Sequence, residues 1–290
     1  MRGGPLLGVT LNLAALLLFV VMDTLVKLLT ASFAVPQIMW ARFLFGFLLV
    51  AAAIRLVTGQ LPWRSHAPGL QALRSLLLAA CNLMFSTALA YLPLTDATAI
   101  GFASPLLTVA LAALWLREAV SRRRWIGVGL GMAGVLVALR PPFLTGETMH
   151  WATLLPLGTA ACFAVYTILT RRLARIDDSR TTILHTGFAA SIATTLVQPL
   201  VWTPPAFGDW GVLVLLGVLG GAGHGLLVLA YARAPVSLLA PLSYTQLVWT
   251  TLAGILVFAD WPDGWTVLGA AIIAAGGLLV AVPGRRRAAS

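Results

Sequence analysis

Long apolar stretches, separated by short polar segments, make up most of the chain. A helix needs about 20 apolar residues to cross the hydrocarbon core of a bilayer. Ten stretches come close to that length, at residues 5–30, 36–57, 69–91, 93–116, 123–140, 150–171, 180–202, 210–232, 235–258 and 262–282. Because they nearly exhaust the chain, the pattern predicts an all-α integral membrane protein with ten transmembrane helices.

The segments between the stretches carry residues that end helices and favour turns. Two examples are TGQLPWRSHAPG, after the second stretch, and TPPAFGD, after the seventh. Clusters of glycine and proline of this kind mark loops. None of these segments is long enough to hold a soluble domain.

The first stretch has a second interpretation, as a cleaved signal peptide, because it follows Arg2 and because SFA at residues 32–34 resembles a cleavage site. Asp23 and Lys27 interrupt the apolar run where such a site needs it to be clean. This interruption favours a helix that is retained.

The composition agrees with a lipid environment. Hydrophobic residues make up 60% of the chain and charged residues 10%, and the mean hydropathy is +0.94. A soluble protein has about 25% charged residues. The net charge of +10 would suit a nucleic-acid partner, but the arginines lie in short clusters that flank the apolar stretches, as in membrane proteins. We therefore expect the lipid bilayer, and no nucleic acid, as the partner.

The basic residues also predict the orientation. All of the 19 Lys and Arg residues except Lys27, Arg42 and Arg140 fall on one side of the ten predicted helices. Short loops that are rich in Lys and Arg stay in the cytoplasm. Both termini are therefore expected on the cytoplasmic side, in agreement with an even number of helices.

The two halves of the chain repeat the same pattern. The offset that aligns Pro93 with Pro235 also aligns three further pairs of like residues, which are Glu118 with Asp260, Gly127 with Gly269, and Gly134 with Gly276. A nearly equal offset aligns Phe19 with Phe163. We expect two copies of a five-helix unit, at residues 1–142 and 143–290.

The odd number of helices in each copy has a consequence for topology. The second copy must enter the membrane from the opposite side to the first, which makes an inverted repeat. Proteins built in this way place a substrate site near the midplane of the bilayer, between the copies, and expose it to each side in turn. The repeat therefore predicts a transporter that works by alternating access.

Polar residues at matching depth in the two copies point to that site. His224 lies in the middle of an apolar stretch, where a polar side chain is costly and often functional. Its partner in the repeat is Asn82, and Ala79 lies on the same helix face as Asn82. The alternative is a hydrogen bond that only holds two helices together.

Aromatic residues at similar depth would form the walls of the same chamber. Phe102 is paired with Tyr244 and Phe19 with Phe163, while Tyr166 lies one turn from Phe163. The predicted chamber is aromatic, has a few hydrogen-bonding groups and carries no fixed charge. It would suit a small amphipathic solute, such as an aromatic or branched amino acid.

Three charged residues lie near the predicted outer ends of the first two helices. Asp23 and Lys27 are spaced i, i+4, and Arg42 lies at similar depth in the second helix. Such residues tolerate a membrane when they pair with one another. We interpret them as a local ion-pair cluster or, alternatively, as an extracellular gate.

Two runs near the end of the first copy have a recognisable pattern. They are YLPLTDATAIGFASPLLTVALAALWLRE, residues 91–118, and WIGVGLGMAGVLVALRP, residues 125–141. With the arrangement of five plus five helices, they resemble the EamA-type branch of the drug/metabolite transporter superfamily. The second copy departs from this pattern, because Leu247 matches Pro105 and Asp260 matches Glu118. The layout is also similar to that of bacterial amino-acid exporters of the superfamily.

The resemblance implies a secondary transporter in the inner membrane of a bacterium, with neither catalytic activity nor a cofactor. It implies export of a small-molecule substrate, amino acids above all. A monomer is the simplest assembly. Within the first run, we expect Pro105 to kink the fourth helix and Glu118 to join a charge network that fixes the helix end.

Other functions have less support in the sequence. GLGMAG at residues 129–134 matches a dinucleotide fingerprint, but it lies inside an apolar stretch and follows no strand, so close helix packing is the expected role. A lipid-modifying enzyme would need a cluster of acids and histidines at one interface, and a channel would need a ring of charges. Transport of another uncharged metabolite or a drug stays open, as does proton coupling through His224.

Overall fold

The computed structural model describes residues 5–115, 120–139, 149–173, 176–233, 239, 242–243 and 245–281. Over these residues the fold is helical and contains no strand, which confirms the predicted all-α class. The helices are α1 (Pro5–Leu29), α2 (Val35–Thr58), α3 (Pro68–Leu89), α4 (Leu94–Gly101), α5 (Ala103–Trp115), α6 (Arg122–Leu139), α7 (Leu154–Leu173, after a 3-10 turn at Trp151–Thr153), α8 (Ser179–Thr195), α9 (Gln198–Val201), α10 (Asp209–Arg233), α11 (Thr245–Phe258) and α12 (Gly264–Ala281).

The lengths and hydropathies of these helices agree with a protein that crosses a membrane. Within the described part of the chain, six helical segments are long and apolar enough for a crossing, namely Leu6–Leu29, Val35–Thr58, Pro68–Leu89, Leu94–Trp115, Trp151–Thr170 and Asp209–Leu227. Shorter apolar helices lie at Trp125–Ala138, Thr245–Phe258 and Gly264–Leu279. The count of ten crossings and the side of the termini stay predictions.

Local sequence accounts for where the helices begin and end. Proline stands at the start of α2 and α3, where its missing N–H is not needed. Gly59 ends α2 in the left-handed conformation, with φ of 72°, and its N–H bonds to the carbonyl of Arg55 at 2.9 Å. The loop predicted after the second stretch therefore begins where expected.

The fourth stretch, which was predicted as one helix, is two. It is interrupted at Phe102, whose N–H bonds to the carbonyls of both Thr98 (3.1 Å) and Ala99 (3.3 Å). Pro105 follows in the first turn of α5. Because its ring cannot donate a hydrogen bond to Gly101 and crowds that carbonyl, the helix does not continue through this point.

Helices from the two halves pack against each other throughout the bundle. The most extensive pairs join α6 with α12, α1 with α10, α3 with α7 and α2 with α10. In the first of these, a Cβ atom on Gly276 would lie 2.5 Å from the backbone N of Gly131, and one on Gly134 would lie 2.7 Å from that of Ile273. The glycines therefore permit close contact of two backbones, as the packing interpretation predicted.

The two ends of the bundle are named here by the linkers that they hold. The outer end holds the α1–α2, α3–α4 and α11–α12 linkers, and the inner end holds the α2–α3 and α7–α8 linkers. Extracellular and cytoplasmic faces, respectively, are predicted for them. The largest apolar core is built around Met22, Met39 and Leu216, and lies between α1, α2, α3 and α10.

Candidate functional site

An aromatic pair joins α1 to α10 in the interior. The rings of Phe19 and His224 lie 5.0 Å apart, tilted by 58°. Gly223 makes room for this contact, since a Cβ atom there would lie 2.7 Å from Cε1 of Phe19. The His224 side chain is exposed in the described structure, while Phe19 is half-buried. The protein therefore covers this aromatic pair only in part.

A pair of opposite charges lies about one helical turn further toward the outer end. Asp23 and Arg42 are each only 8% exposed. The Arg42 side chain packs on α10 at Gly220, where a Cβ atom would lie 3.7 Å from its Nε. Asp23 is four residues from Phe19 on α1, and Gly220 is four residues from His224 on α10, so each lies one helical turn from a member of the aromatic pair. The charges therefore lie beside that pair.

Asp23 and Arg42 do not form the ion pair that the sequence predicted. Among the residues that the structure describes, neither side chain has a hydrogen bond or a close ionic contact, and Arg42 has only the ring of Phe43 at 5.8 Å. Neither group is among the fully enclosed polar atoms that lack a partner. Two buried, opposite charges thus lie in the interior without bonding to each other.

A second buried arginine, Arg74, lies inside α3 and is 5% exposed. It therefore does not belong to the basic residues that flank the membrane, although the charge pattern predicts that it does. It donates hydrogen bonds to Thr170 Oγ1 and Tyr166 Oη, each at 2.7 Å, and to Thr186. Its position six residues inside an apolar stretch could have revealed it.

Tyr166 brings the aromatic wall of α7 to this arginine. The guanidinium of Arg74 lies 4.5 Å from the centre of the Tyr166 ring. The Phe163 ring lies 5.2 Å from that of Tyr166, and its side chain is 39% exposed. Arg74 contacts Tyr166, a predicted wall residue, and Arg42 lies beside the pair of Phe19 and His224. A chamber bounded by these residues would therefore include two guanidinium groups, in contrast to the predicted absence of fixed charge.

The other predicted site residues lie in different surroundings. Asn82 is half-buried and donates its amide to the Leu78 carbonyl of its own helix, at 2.8 Å. Ala79 packs on the same apolar core as Phe19. Phe102 is buried in a second core, which also contains Ala99 and Val135. Tyr244 lies outside the described residues.

Lys27 has a different partner from the one predicted. Its ammonium group lies 3.1 Å from Oδ2 of Asp260, in the α11–α12 linker, and donates to the carbonyl of Leu92 at 2.8 Å. It also lies 4.8 Å from the centre of the Phe258 ring. The expected pair of Lys27 with Asp23 does not form, because the long Lys27 side chain extends toward the linkers. Asp23 lies one helical turn deeper in the bundle, on the other side of Lys27 from the linkers.

The structure describes the region of the predicted kink at Pro105, but it does not describe Glu118 of the predicted helix-end network. The interruption of the fourth helix precedes Pro105 by three residues, as described above. Glu118 lies outside the described residues. Its equivalent in the second half is Asp260, which holds the Lys27 contact at the outer end.

Two further polar contacts hold the linkers in place, and the sequence analysis missed both. At the inner end, Asp177 accepts hydrogen bonds from Ser65, His66 and Gln71. Burial acts to raise the pKa of Asp177, but these hydrogen bonds outweigh it and hold the pKa below its usual range. At the outer end, the amide of Gln37 donates to the Thr203 carbonyl at 2.7 Å and accepts from the Thr203 N–H at 2.9 Å.

Two clefts border the outer ends of α11 and α12. One, of about 380 Å³, is lined by Pro93 and by residues of the α11–α12 linker; the other, of about 670 Å³, is lined mainly by apolar residues of α11 and α12. Neither includes Phe19, Arg42 or His224. We place the candidate site at the interior charges, because unpaired buried charge is the costlier and more specific feature.

Comparison with known proteins identifies this arrangement of helices. Residues 6–140 and residues 150–282 each match the EamA-like transporter family. The chain belongs to that family. It is therefore a multi-pass membrane protein that transports a small molecule.

Named relatives cover nearly the whole chain and differ in substrate. A riboflavin transporter of Vibrio cholerae is 27% identical over 93% of this chain and 91% of its own length. An S-adenosylmethionine uptake transporter of Rickettsia bellii is 25% identical over 87% and 85%, respectively. A pseudopaline exporter of Pseudomonas aeruginosa is 26% identical over 92% and 93%. The EamA-like relatives thus include proteins named for uptake and for export.

Proposed function

We propose that this EamA-family protein is a secondary transporter of small amphipathic metabolites, with aromatic or other neutral amino acids as its main substrates. The observation that carries the proposal is the contact of Phe19 with His224, one helical turn from the buried charges of Asp23 and Arg42. The rings of Phe19 and His224, here called the aromatic platform, would hold the apolar part of the solute. The buried charged groups would hold its polar part. Export from the cytoplasm of a bacterium, across its inner membrane, is the direction that we propose.

We further propose that the chain consists of two inverted five-helix units that alternate access to this site. The packing of the helices supports this proposal. In the proposed repeat, the helices α1, α2, α3, α5 and α6 of the first unit correspond to α7, α8, α10, α11 and α12 of the second. When each helix is replaced by its counterpart, two helices that pack together become two other helices that also pack together. The pair of α1 and α10 corresponds to that of α7 and α3, and α2 with α10 corresponds to α8 with α3. The two separate matches to the family also fall on these units. Ten crossings, with both termini in the cytoplasm, follow from this arrangement.

The site lies between the proposed units, since Phe19 and Arg42 belong to the first and His224 to the second. Movement of one unit against the other would change which end of the bundle opens to the site. In the described structure, the contact of Lys27 with Asp260 and Leu92 ties together three segments at the outer end. We propose that this contact is part of the outer gate.

A vitamin-like solute is the second candidate substrate. Its support is the riboflavin transporter of Vibrio cholerae, which aligns over nearly the whole chain. Such a solute would stack on Phe19 and His224 but would not need the charges of Asp23 and Arg42. The two substrate classes therefore make different demands on the same site.

Flux into liposomes tests the proposal. Purified protein would be reconstituted, and uptake of labelled phenylalanine, threonine, riboflavin and uracil followed without an ion gradient and then with a pH gradient. Saturable flux of an amino acid is expected. Flux of riboflavin alone would favour the second candidate, and flux of no solute under either condition would overturn the proposal.

A matched pair of α1 variants links the flux to the site. Phe19→Ala removes the ring that contacts His224, and we expect the initial rate to fall about tenfold, since a buried aromatic contact contributes about 1–1.5 kcal/mol. Leu17→Ala removes an exposed side chain of the same helix and should leave the rate unchanged. Equal rates for the two variants would place the site elsewhere.

A further inference from the structure

Asp23 and Arg42 present a physical problem that the proposed function does not by itself resolve. Each side chain is more than nine-tenths buried, and each carries a charge at neutral pH in its ordinary state. Burying a charge without a partner is costly, and in a membrane such residues mark sites of function. Among the described residues neither group has a hydrogen bond or an ion pair, and neither is fully enclosed.

The two groups lie near each other without forming an ion pair. A Cβ atom on Gly220 would lie 3.4 Å from Sδ of Met22, the neighbour of Asp23 on α1, and 3.7 Å from Nε of Arg42. No ionic contact joins Asp23 and Arg42 among the described residues. Arg74 provides the contrast, because its guanidinium is satisfied by Tyr166, Thr170 and Thr186. The donors of Arg42 and the acceptor oxygens of Asp23 are, by contrast, unpaired among the described residues.

Helix geometry places this pair directly beside the aromatic platform. Phe19 and Asp23 are four residues apart on α1, so they share a face and differ by about 6 Å along the axis. On α10, Gly220, which contacts Arg42, is likewise four residues from His224. The site thus has an aromatic level and, one turn nearer the outer end, a level with one negative and one positive group.

We propose that Asp23 and Arg42 bind the two charged groups of a zwitterionic solute. The carboxylate of Asp23 accepts hydrogen bonds from the ammonium group of the solute, and the guanidinium of Arg42 donates two parallel hydrogen bonds to its carboxylate. The side chain of the solute lies against Phe19 and His224. This inference rests on the proposed function and specifies the substrate class of the same site.

The zwitterion fits better than a solute with a single charge or none. A simple anion would satisfy Arg42 but would be repelled by Asp23, and a simple cation would have the opposite difficulty. An uncharged solute would leave both charges unsatisfied. A solute that carries both groups satisfies each of them and adds no net charge to the interior.

Matched solutes provide the first test. Wild-type protein in liposomes would be assayed for uptake of phenylalanine, methionine and threonine. Competition would then be measured with the amide of each amino acid, which lacks the carboxylate, and with the deaminated acid of each, which lacks the ammonium group. We expect the amino acid to compete about 30-fold better than either analogue. Equal competition by an analogue would overturn the inference.

Charge-removing variants provide the second test. Arg42→Gln and Asp23→Asn should each raise the half-saturating concentration of the amino acid about 30-fold or abolish uptake. Arg42→Lys should recover part of the uptake, because it restores the charge without the planar fork. Arg55→Gln, which removes an exposed charge from the same helix, is the control and should behave as wild type.

The double variant Asp23→Asn with Arg42→Gln distinguishes two roles for these residues. They either bind the solute or only neutralise the charge of each other. The double variant buries no charge, so it should fold even if a single variant does not, which size-exclusion chromatography in detergent would establish. We expect it to lose amino-acid uptake as fully as the single variants. Recovery of wild-type uptake would mean that the two residues only neutralise each other, and would overturn the inference.

The outcomes also separate this inference from the proposed function. Saturable uptake of riboflavin or uracil that is unchanged in Arg42→Gln would leave a transporter in place and reject the zwitterion site. Absence of flux for every solute in the wild-type protein would reject both proposals.

Discussion

The ammonium group of Lys27 lies 3.1 Å from the carboxylate of Asp260, although 233 positions separate the two residues in the chain. The same ammonium donates to the Leu92 carbonyl. One side chain at the end of α1 therefore joins the α3–α4 and α11–α12 linkers at the outer end. Its loss should affect access to the interior more than stability, because both partners are partly exposed and solvent screens the pair.

Removing the Lys27 charge should open the outer end. We expect Lys27→Met to increase the rate at which a membrane-impermeant thiol reagent, added outside, modifies a cysteine placed at His224. Cys81 and Cys162, the two native cysteines, would first be replaced by serine. Lys27→Arg keeps the charge and should label as slowly as the parent. Equal labelling of Lys27→Met and the parent would contradict a role for this contact in the outer gate.

Enlarging Gly223 should disturb the aromatic platform. A Cβ atom there would lie 2.7 Å from Cε1 of Phe19, so Gly223→Val must displace the ring. We expect transport to fall about tenfold or more, because the platform loses its geometry. Gly225 lies two positions along the same helix with open space around it, and Gly225→Val is the matched control. Loss of transport in both variants would indicate a general effect on α10 instead.

Enlarging Gly276 should destabilise the fold without touching the site. Its Cβ atom would lie 2.5 Å from the backbone N of Gly131, and backbone cannot move aside as a side chain can. We expect Gly276→Ala to lower the free energy of unfolding by about 1–3 kcal/mol, which a thermal melt in detergent would detect as a lower Tm. Gly129→Ala, on α6 with no neighbour near its Cβ atom, should melt close to the wild type.

Asp177 should make stability depend on acid pH. Its folded-state pKa is held below the ordinary value of 3.8, so its carboxylate stabilises the fold above that pH and loses this effect as the pH falls below it. Asp177→Asn should therefore lower the free energy of unfolding by about 1 kcal/mol at pH 7, because it weakens the hydrogen bonds from Ser65, His66 and Gln71. The difference between variant and wild type should shrink in melts at the lowest pH that the protein tolerates. A constant difference would assign the effect to the shape of the side chain.

Hydropathy was sufficient to predict helix positions because a membrane leaves few alternatives. Apolar stretches about 20 residues long must be helical to satisfy their backbone groups, and most predicted bounds lie within a few residues of the observed ones. The exceptions occur at prolines. The fourth stretch divides near Pro105, and the seventh ends at Thr195, before Pro199 opens the short α9. A proline in an apolar run signals a break, but its extent depends on tertiary packing.

The site was predictable only in part, because charges were assigned by position and not by contact. The internal repeat predicted Phe19 and His224 as site residues, and their rings are in contact in the structure. The charge pattern predicts Arg74 as a flanking charge, because a count of basic residues cannot distinguish the end of a helix from its second turn. The partner of Lys27 lies in a distant linker, and no local spacing rule reaches that far.

Continuity of α1 links the outer contact to the interior. Phe19, Asp23 and Lys27 stand four residues apart along one unbroken helix of 25 residues, so about 12 Å of rigid rod separates the first from the last. A tilt or rotation that releases Lys27 from Asp260 must also move Phe19 and Asp23. By thermodynamic reciprocity, whatever is bound beside Phe19 then biases how often the outer contact is broken, and breaking that contact changes how tightly the solute is held. Through this rigid helix, binding of a solute at the proposed site would be coupled to the contact of Lys27 with Asp260 at the outer end.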